Sequence, residues 1–300
     1  MICCASPSWV CSRDDDDARW DGGVPVSGRE TTGAVHATAV VHHAVRMGGR
    51  VVIGPYAVVE DGVDLGDGVV LAAHAVVRSG TVLGAGTSVG EHAVIGGWPQ
   101  DLKFDPRTPS GVQVGVGVTL REGVTVNRAT SEGAFTEIGD GAFLMAGAHV
   151  GHDCVLGSNV ILANNVMVAG LVRIGDYVFV GGGAAFHQGA RVGEGAMVSG
   201  LSRMSRDVPP FTMVAERDEV VGLNLVGMRR RGFVRDAVRE IKEAYRRVYG
   251  GAGSRRARAA EALDARPWLS AEARGFLEFF AEGKRGFVQP RKHGEADAGE

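Results

Sequence analysis

The stretch "IGDGAFLMAGAHVGHDCVLGSNVILANNVMVAGLVRIGDYVFVGGGAAFHQGARVGEGAMVSGLSRM", Ile138–Met204, carries an apolar residue at every sixth position. From Ile138 the series runs through Leu144, Val150, Leu156, Leu162, Val168, Ile174, Val180, Phe186, Val192, Val198 and Met204 without a miss. In a chain that is 45% hydrophobic, twelve such hits in a row arise by chance on the order of once in ten thousand trials, and repetition at a fixed period identifies an architecture. Six is a multiple of the strand period of two, so each marked residue faces the same way within its strand. It does not fit the helical period of 3.6. Short strands bent every six residues form a prism with aliphatics stacked inside, each coil rising by the inter-strand spacing of ~4.8 Å.

The same phase extends upstream through Val35, Val41, Met47, Ile53, Val59, Leu65, Leu71, Val77, Leu83, Val89 and Ile95. It breaks at "GGWPQDLKFDPRTPSG", resumes at Val114, Leu120 and Val126, and breaks again at "RATSEGAFTE". Structureless insertions kept within a regular solenoid point to function. Glycine often follows the marked residue, as at Gly54, Gly66, Gly84, Gly90 and Gly181, and reads as a permissive backbone at each bend. From about Arg217 a helical period takes over, with Phe233, Val234, Ala237, Val238, Ile241, Tyr245 and Val248 on one face. Ser270 is placed to cap a later helix through Phe276, Leu277 and Phe280 that stops near Gly283.

The expected class is therefore mainly β: a parallel β-helix of hexapeptide repeats followed by a C-terminal α-helical domain. The expected boundaries are a disordered extension over 1–33, the prism over 34–215 with loops near 97–112 and 128–137, helices over 216–288, and a disordered tail over 289–300. Forty-six glycines in 300 residues is about twice the usual ~7%, as a chain that turns often requires. A net charge of -3 gives no sign of a nucleic-acid or membrane surface, and no run approaches the ~18 apolar residues of a membrane span. The opening "MICCASPSWVCSRDDDDARW" lacks a basic leader before a long apolar core. Cys3, Cys4 and Cys11 crowd into that segment and only Cys154 lies in the body, so no disulfide framework is expected and the compartment reads as cytoplasmic.

The stretch "GAHVGHDC" bears two histidines three residues apart. In the six-residue phase, His149 and His152 flank inward Val150, so both can lie on the outside of the prism. The segments "GGWPQDLKF", "LMAGAHVGHDCVLGSNVILANNVMVAG", "HQGARVG", "GLSRMSRDVPPF" and "GLNLVGMRRRGF" together resemble the UDP-N-acetylglucosamine O-acyltransferases of lipid A biosynthesis, over roughly Val35 to Phe287. "LANN" alone occurs in many hexapeptide transferases. The resemblance implies a left-handed winding with three hexads per coil and a homotrimer with its sites between neighbouring prisms. It also implies transfer of an (R)-3-hydroxyacyl chain from acyl carrier protein to the 3-hydroxyl of UDP-N-acetylglucosamine, with the carrier's phosphopantetheine thioester as co-substrate and no separate cofactor or metal.

A sugar hydroxyl is a poor nucleophile at neutral pH and needs a positioned base. By the resemblance, His152 is that base, Asp153 orients it, and the backbone N–H of Gly170 meets the oxyanion. His149 and His187 correspond to histidines that hydrogen-bond substrate, and Gln188 to a sugar-nucleotide contact. Gln100, Asp101 and Lys103 correspond to substrate contacts from the first loop. Asn224 matches a position contacting the acyl chain or sugar, and Arg230 and Arg231 match arginines facing the diphosphate. Gly200 matches the position that sets acyl-chain length, where glycine leaves the groove open. Arginine-rich helices would draw an acidic carrier. This chain departs from the family at Asn127 and Leu171, where histidines are usual, and at Val226, which replaces an acidic residue. Relatives that N-acylate a 3-amino sugar are the neighbouring alternative. A zinc hydratase on the same prism is a further one, but it usually needs an H-x-x-x-x-H pair, which this chain lacks.

Overall fold

A computed structural model describes residues 33–290. The early cysteines, the Asp14–Asp17 run and the tail from residue 291 lie outside the described residues. Strands of mostly two residues pair in parallel with the strand 18 residues on, as in Val52↔Val70 and Ile53↔Leu71. They build three sheets of twelve, nine and eight strands, the first, second and third faces of a triangular prism. Eighteen residues per coil is three hexads, the expected repeat.

Two residues of each hexad point inward. The marked position holds a larger aliphatic, and the position two before it holds Ala, Val, Thr, Ser or Cys. Both columns are nearly inaccessible, for example Ala142 with Leu144, Ala148 with Val150, and Cys154 with Leu156. Enclosing each Leu, Ile or Val contributes about 1.5–3 kcal/mol, and the small partner makes room for it. At the first coil, Val35 is 51% and Met47 47% exposed, because no described coil lies beneath them.

The glycines after the marked residue do something other than bend the chain. Except at Gly96, their φ angles are not positive; at Gly151 a Cβ would lie 2.7 Å from Gly170 N and 2.9 Å from Ala169 C. They let neighbouring coils approach closely. The turn itself falls two residues later, in left-handed backbone, at Gly147 (φ 70°), Asp153 (φ 58°), Asn165 (φ 57°) and Leu171 (φ 63°). Glycine adopts that region freely, and Asn, Asp and His are the side chains enriched there.

Across the first insertion Val89 pairs with Leu120, 31 residues on instead of 18, so thirteen residues are looped out. Across the second, Val126 pairs with Val150, 24 on, so six are looped out. Strands Val94–Gly97, Gly111–Val114, Thr125–Asn127 and Phe135–Ile138 narrow the irregular parts to 98–110 and 128–134.

β structure also extends past residue 215. Thr212–Ala215 ends the parallel stack, Glu219–Leu223 turns antiparallel against it, and Gln289–Pro290 adds to that strand. Between them stand α1 (Leu225–Arg230), α2 (Arg235–Tyr249), α3 (Arg255–Ala265) and α4 (Ala271–Glu278). Val234 departs from the expected apolar face: it precedes α2 and is 69% exposed. Helix α3 was illegible because it buries only Ala259 and Ala262. Ser270 caps α4 by accepting from Ala273 N at 3.0 Å, and a 3-10 turn over Phe279–Ala281 finishes it. Truncating the core at Leu144→Ala is expected to cost about 2–5 kcal/mol, read as a lower denaturation midpoint in guanidinium.

Candidate active site

The edge between the second and third faces holds the chemistry-bearing residues. His152 lies two residues past Val150, Gly170 two past Val168, and Gln188 two past Phe186. They therefore stack one above another, a coil apart. The Leu171 amide donates to His152 O (2.8 Å) and the Gly189 amide to Gly170 O (2.9 Å).

Asp153 occupies the left-handed turn after His152, which brings its carboxylate back onto the ring: His152 Nδ1 is 2.7 Å from Asp153 Oδ2. With Nδ1 donating to the carboxylate, Nε2 keeps its lone pair and can accept a proton. The second insertion then holds the carboxylate from its other side. Thr130 donates its amide (3.1 Å) and its hydroxyl (2.8 Å) to Asp153, and the Asp153 amide donates to Thr136 Oγ1 (2.8 Å). Burial pushes the Asp153 carboxyl up, but the bonds from His152 and Thr130 outweigh it and hold it below the usual carboxylate range. Both side chains are about 15% exposed, shielded yet open to a ligand.

Gly170 is required by the ring itself. A Cβ there would stand 2.4 Å from His152 Nε2, so only glycine leaves the imidazole its place. The amide two residues past a marked aliphatic does not join the inter-coil ladder. At three positions on the edge between the third and first faces a carboxylate takes it: Asp67 at Gly49 (2.7 Å), Asp140 at Val116 (2.7 Å) and Asp176 at Ser158 (2.8 Å). The Gly170 amide is buried with no such acceptor among the described residues, and the residue one coil on is neutral Gln188. A fixed N–H donor thus adjoins the free nitrogen of His152.

His149 is half-buried on the second face, its Nδ1 2.8 Å from Thr125 Oγ1. Burial lowers its pKa, so it is neutral at pH 7. His187 and Gln188 are exposed on the same edge. Arg128, in the coil below His152, reaches into the first insertion, donating to Pro106 O (2.6 Å) and Thr108 O (3.1 Å) beneath Phe104. Gln100, Asp101 and Lys103 stand exposed on that loop, with Asp101 Oδ1 accepting from the Lys103 amide (2.9 Å). Asn127 is buried and its Oδ1 has no hydrogen-bond partner; Leu171 is 48% exposed at the turn above His152.

The remaining candidates lie at other edges of the chain. Asn224 caps α1, accepting from Gly227 N (2.9 Å) and donating to Gly195 O (3.0 Å). Arg231 pairs with Glu194 and lies over Tyr177 and Phe233, at the edge between third and first faces. Arg230 is exposed nearby. Gly200 sits at the third edge, where a Cβ would be 3.2 Å from Gly182 O. Thr130, Thr136 and Arg128 were missed by sequence reasoning; the only signal was that they fall in or beside the breaks in phase. Among the described residues no cluster of three His, Cys, Asp or Glu side chains is placed to hold a metal.

Residues 207–288 match the family described as Udp N-acetylglucosamine O-acyltransferase, domain 2, and residues 44–79 and 135–170 match bacterial transferase hexapeptide repeats. A curated acyl-[acyl-carrier-protein]–UDP-N-acetylglucosamine O-acyltransferase of Paraburkholderia phymatum is 37% identical over 72% of this chain and 82% of its own. This chain belongs to that acyltransferase family. The alignment with the corresponding protein of Anaeromyxobacter sp. is 40% identical and spans 36% of this chain but only 43% of that one. The structure of the UDP-N-acetylglucosamine acyltransferase from Campylobacter jejuni superposes with a TM-score of 0.80 at 37% identity, over 86% of this chain and all of that one.

For this acyltransferase, Thr130→Val should lower kcat for acyl transfer roughly tenfold by removing one hydrogen bond to the carboxylate. KM should be nearly unchanged, and Thr130→Ser should restore most of the rate. For His149, a folded pKa below the unfolded one favours the neutral native state. Its contribution is then present above the unfolded value and lost as pH falls through the folded one. Between pH 7 and 5 the wild type should lose more stability than His149→Gln, as read by thermal unfolding at each pH.

Proposed function

We propose that this chain moves an (R)-3-hydroxyacyl group from the thioester of acyl carrier protein to the 3-hydroxyl of UDP-N-acetylglucosamine, the first step of lipid A biosynthesis. The observation that carries the reading is His152 Nε2, freed by the Nδ1–Asp153 bond and packed against Gly170, 2.4 Å from where a Cβ there would stand. Nε2 takes the hydroxyl proton as the sugar oxygen attacks the thioester carbon. The carbonyl oxygen gains charge against the Gly170 N–H, whose rigidity means it need not reorganise; one such donor is typically worth ~10²–10³ in rate. Collapse breaks the C–S bond, and the thiol leaves with the proton held on Nε2. Neutral His149, with His187 and Gln188, lies where it can hydrogen-bond the sugar nucleotide.

The outward residues of the faces support a homotrimer. The first face presents Val70, Phe143, Ile161, Phe179 and Met197, and the second Val58, Val76, Val94 and Met167; the third presents Arg46, Asp64, Gln113, Glu137 and Arg173. Packing the first face of one prism on the second of the next forms a heterologous contact that closes as a ring. It lines up the His152 edge of one copy with the Arg230–Arg231 edge of its neighbour, giving the diphosphate its arginines. A groove of Leu225, Arg229, Phe233, Arg235, Arg239 and Lys242 on α1 and α2 suits an acidic carrier protein. Among the described residues no helix is long and apolar enough to cross a membrane, and a cytoplasmic enzyme is proposed.

Incubation with UDP-N-acetylglucosamine, its 3-amino analogue and a ladder of hydroxyacyl carrier proteins, followed by mass analysis, tests the reading. A 3-O-acyl product is expected, with roughly 10²–10⁴-fold loss in His152→Ala. No transfer by the wild type, or undiminished transfer by that variant, would overturn it.

A further inference from the structure

The edge between the first and second faces carries a column of rings. Its turn positions, three past the inward aliphatics of the first face, hold Tyr56, His74 and His92 in successive coils, then Gly123, Gly147, Asn165 and Gly183. The three rings stand on left-handed backbone, with φ of 58°, 61° and 58°, where histidine is enriched and a bulky tyrosine is an outlier. They lie flat on one another. Tyr56 and His74 have centroids 5.1 Å apart at 12°, and His74 and His92 4.9 Å apart at 8°. All three residues are exposed.

Stacking explains the rings and leaves the nitrogens unexplained. A phenol serves in the column at Tyr56, so nothing in the stack itself calls for imidazole. Neither His74 nor His92 has a hydrogen-bond or ion-pair partner for its side chain among the described residues. A neutral imidazole keeps one nitrogen lone pair for a proton or a metal. Glu91 precedes His92, and its carboxylate is also unpaired among the described residues. Glu122, in the coil above, is paired with Arg121 Nε at 3.0 Å. Free negative charge therefore adjoins the His92 ring.

One chain brings two imidazoles side by side, too few to hold a metal. When the first face of one prism packs on the second of the next, the edge those faces share lies at the three-fold axis in every copy. The three His92 rings then form one layer around the axis, and the three His74 rings the layer below. We propose that this axis is a structural metal site, holding one divalent first-row transition cation per trimer on the three His92 imidazoles. The inference rests on the homotrimer of the reading above. Imidazole nitrogen suits zinc, which takes three such ligands at about 2.0–2.1 Å with water in the fourth position. The Glu91 carboxylates offset the charge of the ion. His152 stands on another edge, two coils further along, so the ion takes no part in acyl transfer and acts by tying the three prisms together.

The test titrates the full chain, freed of metal by a chelator, with zinc in calorimetry and follows it by thermal unfolding. Sedimentation gives the mass of the assembly alongside. The wild type is expected to be a trimer that takes up one zinc per three chains, with a melting temperature that rises with zinc concentration. His92→Phe keeps a ring in the column; it should stay trimeric and keep its acyl-transfer rate, yet take up no zinc and show no rise in melting temperature. His43→Ala, which removes an exposed histidine elsewhere, should bind zinc as the wild type does. A trimer that takes no zinc, or a His92→Phe trimer that binds it as tightly as the wild type, would overturn the site and leave the homotrimer standing. A monomer would overturn the homotrimer and the site with it. One zinc per chain would overturn the axial site as well, by placing the ion within a single prism.

Discussion

Everything at the His152 edge depends on an amide that the coil cannot use. Adjacent coils are held in register by ladder bonds on either side of each bend, and left-handed backbone three residues past most of the marked aliphatics completes the turn. The amide between them is turned away from the ladder. A backbone N–H without a partner is costly when buried, and on the edge between the third and first faces three of these amides are answered by a carboxylate from the next coil, Asp67, Asp140 and Asp176. At Gly170 the next coil offers Gln188 and the preceding one His152. The Gly170 amide is thereby a donor fixed beside an imidazole.

The two insertions make sense on that edge. The second brings Thr130 and Thr136 around Asp153, so the carboxylate orienting His152 is itself held by an amide and a hydroxyl, and its backbone by a second hydroxyl. The first is pinned from beneath by Arg128 through two backbone carbonyls, which sets Gln100, Asp101 and Lys103 beside the same edge. Thirteen and six residues leave the repeat without breaking the stack, because the strands flanking each loop still pair with their neighbours, with one bulge between Ile95 and Gly97 beside the first loop. The prism supplies rigidity, and the loops supply reach.

The fold was legible because its signal is periodic: a stack of inward aliphatics every six residues has few readings. The place of His152 and His149 on the outside followed from the same phase, since Val150 between them must point in. What periodicity could not show was contact across coils. The glycine that often follows an inward aliphatic reads as a bend in sequence, which shows small size but not the carbonyl or amide it must clear. Thr130 and Thr136 sit where the phase is lost, so nothing in their spacing marked them as partners of Asp153. Helix α3 escaped because alanines on its buried face leave little contrast with its exposed side, and Val234 was drawn into a face that begins only after it.

The candidate residues divide by how fully the chain already occupies them. His152 and Asp153 have their orienting atoms bound by neighbours within about 3 Å and keep one free valence, Nε2, aimed at Gly170. Such preorganisation suits chemistry, since nothing there must move to meet the transition state. Gln100, Lys103, His187, Gln188 and Arg230 are exposed, their side-chain ends open to a ligand. Asn224 and Arg231 belong to neither group: each spends polar atoms tying the first helix and its end to the prism, at Gly195 and Glu194. Any substrate contact they make is therefore made by a group whose position is fixed beforehand. Arg231 in particular can offer only what its pairing with Glu194 leaves over, including a buried Nη1 with no hydrogen-bond partner. Arg230, exposed beside it, carries no such pairing among the described residues.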